Sequence, residues 1–222
     1  CVYNPKAASA EKFAIQHRIE NYTDSLEELT MLTDAVYIAS LHETHYEYAK
    51  YMLNNKKHVL CEKPAVLKKA QAEELYSLAK ENNVVFMEAV KTAYCPGFHA
   101  MMAAAKSGKI GRIIDVEAAF SRLTPVNTRE YMAQDYNGSF LEFGSYVCMP
   151  VFELLGCDYD DVRFHSMRAV NGVDAYTKAV FSFGGKSAEV KTGLGVKTEG
   201  QLLISGTNGY ILAKSPWWLT KE

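Results

Sequence analysis

The chain has 222 residues, 48% of them hydrophobic, enough for one substantial core or two modest ones and outside the disordered and fibrous classes. Its 24 basic and 26 acidic side chains nearly cancel, with no dense Lys/Arg run, which excludes an electrostatic footprint for nucleic acid or anionic membrane. No apolar run approaches the roughly 20 residues of a membrane span, so the expected ligand is a small molecule.

The cysteines (Cys1, Cys61, Cys95, Cys148, Cys157) are odd in number and scattered, with no CxxC pair. That argues against a disulfide framework or a zinc site, and no other metal-ligand set is legible. No signal peptide opens the chain, and the expectation is a soluble, cytoplasmic protein with reduced thiols.

In chain order, a short segment at Cys1 to Tyr3 precedes a helical pattern from Ala8 to His17. "SLEELT" then opens a short helix behind a cap at Asp24 or Ser25. "DAVYIAS" suits a buried strand and is followed by a helix from about Thr44 to Asn54. The unit repeats: "KHVLC" reads as a strand, "LKKAQAEELYSLAKEN" as an amphipathic helix with Leu67, Ala70, Leu75 and Leu78 on one side, and "VVFMEA" as a strand. Alternating strands and helices imply right-handed crossovers and a parallel sheet covered on both faces, with ligands beyond the carboxyl ends of the strands. "ASLHETH", "CEKPA" and "MEAVKTAY" occupy that edge.

From about Pro96 the pattern changes. A helix bearing Phe98, Met101, Met102 and Ala105 ends at Ser107-Gly108. It is followed by the alternating runs "IIDVEAAFS", "VRFHSMRAV", "AYTKAVFSF", "SAEVKTGLGV" and "QLLISG", punctuated by Asn171-Gly172, Gly184-Gly185 and Asn208-Gly209 as hairpin turns. A largely antiparallel sheet is expected, interrupted by a helix-like insert from Ser139 to Leu155. Within that insert Glu142 and Tyr146 stand four residues apart, one helical turn, and share a face.

"HVLCEKPA", preceded by "VYIAS" and "HETH" and followed by "GKIGRIIDVEAAF", resembles the Gfo/Idh/MocA family of nicotinamide-dependent oxidoreductases over nearly the whole chain. The resemblance implies an α/β fold: an incomplete Rossmann-type parallel sheet in residues 1–92, then a substrate-binding and oligomerisation α+β domain with a largely antiparallel open sheet in residues 93–222. It places Lys63 beside nicotinamide and substrate, with Glu62 and Pro64 also expected at the cofactor and Glu62 helping to hold the Lys63 ammonium in place. Pro64 independently biases Lys63 away from helical geometry. Ser40, His42 and His45 fall along the cofactor cleft. "GSFLEFGSY" is similar to the family stretch carrying an acid and, four residues later, a histidine or tyrosine. Glu142 and Tyr146 hold those positions, with Glu142 where aspartate is commoner, and the tyrosine is similar to the dihydrodiol and xylose dehydrogenase branch.

Oxidation of a carbinol needs a proton acceptor within hydrogen-bond reach of the hydroxyl. Tyr146 is the expected acceptor, assisted by Lys63, because a phenol ionising near ~10 needs a neighbouring cation to act at neutral pH. Glu142 is expected to orient substrate hydroxyls or Lys63. Cofactor choice rests on "YNPK", where Asn4 and Lys6 stand in place of the acid that binds the ribose diol of NAD, so NADP is favoured over NAD.

Plain structural readings stand beside these. Tyr146 also reads as a core ring, Glu142 as a helix-surface acid, His42 and His45 as helix-start residues, Cys61 as a small buried residue, and Trp217-Trp218 as packing. The glycine-rich turn that seats a pyrophosphate is missing from this sequence, and both ends read as truncated, so a fragment is expected. The expected partners are a polyhydroxy or carbonyl small molecule and a second copy of the chain, as dimer or tetramer. By the same resemblance, a non-enzymatic dinucleotide or sugar sensor and an NAD-assisted glycosidase are the alternatives, and turnover with free NADP and a sugar separates them from a dehydrogenase.

Overall fold

The computed structural model describes residues 1–132 and 136–219. It divides into two compact units, Cys1–Ala89 and Val90–Glu222.

The first unit alternates strands and helices: β1 (Val2–Tyr3), α1 (Ala7–His17), β2 (Tyr22–Thr23), α2 (Leu26–Leu32), β3 (Ala35–Ile38), α3 (His42–Asn54), β4 (His58–Cys61), α4 (Lys69–Glu81) and β5 (Phe86–Glu88). All pairings are parallel, in two pieces, β1-β2 and β3-β4-β5. Local chemistry sets the helix ends. Arg18 takes the left-handed conformation past α1, and its neighbour Ile19 donates to the Ala14 carbonyl at 2.9 Å. Of the two candidate caps for α2 it is Ser25 that serves, its hydroxyl accepting from the Glu28 N–H at 3.3 Å. The third helix starts at His42, two residues before the expected Thr44, because the Thr44 N–H already donates to the Leu41 carbonyl at 2.9 Å.

The core of this unit joins Met52 and Leu53 of α3, Leu75 of α4, Val59 and Cys61 of β4 and Phe86 of β5. Each large aliphatic side chain buried there contributes about 1.5–3 kcal/mol. Among the described residues, one face of β3-β4-β5 is buried in this core. Ile38, Val59 and Cys61 point into the core, whereas Tyr37 and Leu60, neighbours in the register on the opposite face, stay 56% and 40% exposed. Strands of three or four residues alternate here as half-buried strands do, although their composition is apolar.

The second unit contains α5 (Pro96–Lys106), β6 (Ile113–Ser121), α6 (Ser139–Leu155), β7 (Asp161–Arg168), β8 (Asp174–Phe183), β9 (Lys186–Gly193), β10 (Leu202–Gly206) and β11 (Gly209–Ala213). Its six strands lie in the order β11-β10-β6-β9-β8-β7. Four of the five pairings are antiparallel, and β6–β9 is parallel, with Asp115 opposite Ser187. Glycines with positive φ at 184 and 185 make the β8–β9 turn. The last strand, β11, follows the Asn208-Gly209 turn and was not among the expected runs.

Along β8 buried and half-buried residues alternate: Ala175, Thr177, Ala179 and Phe181 turn inward, while Tyr176, Lys178 and Val180 turn to the other face. Ala179 and Phe181 share one core with Val147 and Val151 of α6 and with Phe98 and Met102 of α5, while Ala175 belongs to a second one with Phe143. The sheet face carries α6, and α5 packs beside α6. Lys178, which stands opposite Lys191, forms a diagonal ion pair with Glu189 at 2.6 Å in the half-buried rows of β8 and β9.

Candidate active site

In the first unit the predicted residues gather at the carboxyl ends of β3 and β4. Past β3, Ser40 accepts from the Thr44 hydroxyl at 2.7 Å, and its carbonyl lies 3.2 Å from Nε2 of His45. Past β4, the Glu62 N–H donates to the Ile38 carbonyl at 2.8 Å, continuing the parallel ladder into the loop. Nδ1 of His45 lies 2.9 Å from the Pro64 carbonyl. This fully buried imidazole therefore sits between the two loops with one ring nitrogen facing each backbone oxygen, and a neutral ring donates to one of the two. His42 packs edge-on to His45, ring centroids 5.6 Å apart, and is itself buried.

Lys63 is partly buried and joined to Pro64 by a cis peptide bond, while its own N–H donates to Glu62 at 3.3 Å. The Glu62 carboxylate also accepts from the Tyr37 hydroxyl. Asn4 and Lys6 follow β1: the Asn4 side-chain oxygen accepts the Lys6 N–H at 2.9 Å, and Lys6 is the exposed residue that begins α1.

Two supporting residues went unnoticed in the sequence. Glu88, the last residue of β5, accepts the Ala65 N–H at 3.1 Å, and Tyr37 holds Glu62. The signal for Glu88 was its place at the end of a strand on the same sheet edge, where a carboxylate is costly unless it has donors. Cys61 lies fully buried beneath the loop. Burial, and after it the charges of Glu88 and Glu62, pushes its thiol up to about 12, so it is a packing residue and not a nucleophile at neutral pH.

In the second unit Glu142 and Tyr146 lie one turn apart on α6, each only 8% exposed. Phe143 and Val147, on the adjacent stripe, bury against the sheet, which turns Glu142 and Tyr146 to one flank. Phe120 of β6 sits at that flank. Its ring stacks on Trp218 at 3.8 Å and on Phe143 at 4.3 Å, and meets Tyr146 tilted at 5.3 Å. Trp217 and Trp218 are tied in place: the Trp217 indole donates to the Ala119 carbonyl at 3.3 Å, and the Trp218 carbonyl accepts from Thr92 at 2.7 Å. The pair is packing, and it builds the aromatic wall beside Tyr146. A separate cleft of about 310 Å³, lined by Phe140, Phe164, Arg168 and Asp174 among others, opens on the far side of α6, since Phe140 and Glu142 diverge by about 200° around the helix. Among the described residues no group of three or more His, Cys, Asp or Glu side chains is placed to hold a metal, and no helix is long and apolar enough to cross a membrane.

Two family models match in order. One, described as an oxidoreductase family with an NAD-binding Rossmann fold, covers residues 1–90, and the other, a GFO/IDH/MocA C-terminal domain, covers residues 98–212. The chain is 34% identical over 199 residues to the scyllo-inositol 2-dehydrogenase (NADP(+)) IolU of Bacillus subtilis, covering 84% of this chain and 59% of that protein. It is 28% identical over 214 residues to the trans-1,2-dihydrobenzene-1,2-diol dehydrogenase of Xenopus tropicalis, covering 94% and 64%. The chain thus spans about three-fifths of the length of these curated relatives. The solved structure of levoglucosan dehydrogenase with NADH and levoglucosan superposes with a TM-score of 0.84 at 20% identity, covering 96% of this chain and 63% of that one, which shows the fold. A parallel unit with its polar loops at the strand ends, followed by a helix-bearing open sheet, matches both models in sequence and in structure, and the chain belongs to the Gfo/Idh/MocA oxidoreductase family.

Proposed function

We propose that the full-length protein is a dehydrogenase moving a hydride between NADP or NAD and a carbinol or carbonyl of a sugar, polyol or dihydrodiol-like molecule. The observation that carries this reading is the Lys63 loop, set at the carboxyl edge of a parallel sheet and pinned by the His45 ring and the Glu62 ladder bond. Ser40, Glu62 and Lys63 form a polar donor and acceptor set fitting the ribose and nicotinamide end of a dinucleotide. The pyrophosphate end needs a glycine-rich turn, and the first glycine of this sequence is Gly97. Asn4 and Lys6, with no acid at the end of β1, support NADP, as does the name of the Bacillus subtilis relative.

When bound, the nicotinamide supplies the acceptor for the hydride leaving carbon. The chain's own residues handle the proton. Lys63 donates to the carbinol oxygen and stabilises negative charge as it develops. Tyr146, acting as the phenolate, takes the hydroxyl proton and becomes the neutral phenol, and the aromatic wall of Phe120 keeps its ring in place. Glu142 orients substrate hydroxyls from one turn earlier on the helix. Among structural relatives, the one bound to levoglucosan supports a sugar-like substrate.

The sheet face opposite α6, bearing Tyr176, Lys178, Val180, Glu189 and Lys191, is the surface through which two copies assemble, since an open sheet gains stability by burying its second face. A monodisperse monomer in light scattering ends that part of the reading. Five free cysteines support a reducing, cytoplasmic setting.

The test is turnover of NADP with a panel of sugars and polyols by the full-length gene product, followed by absorbance of the reduced nicotinamide. Turnover that depends on Lys63 is expected. Tight dinucleotide binding without turnover of any substrate replaces the dehydrogenase reading with the sensor.

A further inference from the structure

The first residues of α6 are held by a carboxylate from another element. Asp174, which opens β8, accepts through Oδ2 from the Ser139 hydroxyl at 2.7 Å, from the Phe140 N–H at 3.0 Å and from the Thr177 hydroxyl at 2.7 Å. The Phe140 N–H is one of the first-turn amides that no helical carbonyl can reach, and the capping position belongs to Gly138, which has no side chain to offer. The cap therefore comes from a residue 34 positions further along the chain. Its negative charge sits at the positive end of the helix dipole.

Two further features show that the arrangement is built. Ser139 also pairs with Thr192 at 2.9 Å, and both are fully buried, so a chain of polar contacts runs from β8 through the helix start to β9. Gly138 has φ +128°, and a Cβ there would stand 1.9 Å from Asp174 Oδ1. Glycine is required both by the backbone conformation and by the closeness of the carboxylate.

We propose that Asp174 is a positioning residue, a cap supplied from the sheet that fixes the first turn of α6 and through it the Glu142 and Tyr146 side chains. This rests on the reading of those two side chains as active. Glu142 belongs to that first turn, its N–H donating to the Gly138 carbonyl at 2.9 Å. Tyr146 follows one turn later, already braced by Phe120. Loosening the cap displaces Glu142 more than Tyr146, so substrate orientation suffers before dinucleotide binding does.

The experiment compares Asp174→Ala, Asp174→Asn and Gly138→Ala in the full-length protein by amide hydrogen exchange and steady-state kinetics. Asp174→Ala is expected to speed exchange of the amides of residues 139–143 by about 5-fold or more, the loss typical of a removed cap, with residues 147–151 unchanged. It should lower kcat by about 10- to 100-fold and raise substrate KM while leaving dinucleotide KM alone. Asp174→Asn keeps an acceptor oxygen and should restore both readouts to near the parent values. Gly138→Ala reaches the same contact from the other side and should match Asp174→Ala, so a folding failure of one variant leaves the other decisive. Unchanged first-turn exchange in both Asp174→Ala and Gly138→Ala overturns the proposal. So does fast exchange with unchanged kcat in a protein where Tyr146→Phe lowers kcat. Tyr146→Phe with unchanged kcat overturns the functional reading instead, whereas exchange decides the cap without any turnover.

Discussion

The loop that carries Lys63 and the helix that carries Tyr146 are held by different forces over different distances. Around Lys63 the partners are mostly backbone groups close in sequence. The His45 ring meets the Pro64 carbonyl across 19 positions, and Glu88 meets the Ala65 N–H across 23. Around Tyr146 the partners are side chains from remote strands and the carboxyl-terminal segment: Asp174 on the helix start, Phe120 at the ring, and Trp218 stacked behind it. The loop therefore depends on a few side chains that reach its backbone, His45 and Glu88 among them, whereas the helix depends on ring packing and one remote cap.

The largest expected effects test both regions at once. Lys63→Met should lower kcat by about 100-fold or more while dinucleotide binding survives, in the range that general acid-base catalysis supplies. Tyr146→Phe keeps the ring against Phe120 and removes the hydroxyl, so it should cut kcat similarly and flatten the basic-side rise of the pH profile. If Tyr146→Phe keeps its activity at every pH while Glu142→Gln abolishes it, the roles on the helix are reversed.

Next in size is His45→Ala, which leaves the Pro64 and Ser40 carbonyls without their ring partner and opens a cavity at a fully buried position. Unfolding in urea should show a loss of about 2–4 kcal/mol. Hydrogen exchange in the first turn of α6 should be untouched, and if it changes, the two regions are not held independently.

A smaller contrast is readable in the thiols, one under each region. Burial pushes both Cys61 and Cys148 up to about 12, so at neutral pH iodoacetamide should label the exposed Cys1 and Cys157 and spare these two. Mass spectrometry after brief exposure checks this, and early labelling of Cys61 would mean that the Lys63 loop opens.

The smallest effect concerns Glu117 of β6. Burial first, then the charges of Asp115 and Glu189, raises its carboxyl above the ordinary value. The folded state thus binds this proton more tightly than the unfolded chain, and the associated stability is present at low pH and lost as pH rises through the folded value. Glu117→Gln should raise Tm slightly at neutral pH and leave it unchanged near about pH 3, below the ordinary glutamate range. An equal gain at both values would point to packing and not to charge.

The contrast also explains what was legible beforehand. The EKP loop was readable because its residues are contiguous and its strand, turn and proline signals are local. Glu142 and Tyr146 were readable as a pair because four residues make one turn of any helix. Asp174 was not readable as their cap, because nothing near "VDAYT" marks it as the partner of a helix start 34 residues earlier.

By itself the sequence determined the alternation of strands and helices in the first unit, the hairpin turns of the second, and the one-turn spacing on α6, since each depends on periodicity or on a turn residue. Only the tertiary structure decided the parallel β6–β9 pairing inside an otherwise antiparallel sheet. It also decided that His45 lies between two backbone carbonyls and that Asp174 closes the start of α6. Alternation along a strand says which residues share a face, but which strand lies alongside it depends on how whole faces pack, and that information is spread over residues far apart in the chain.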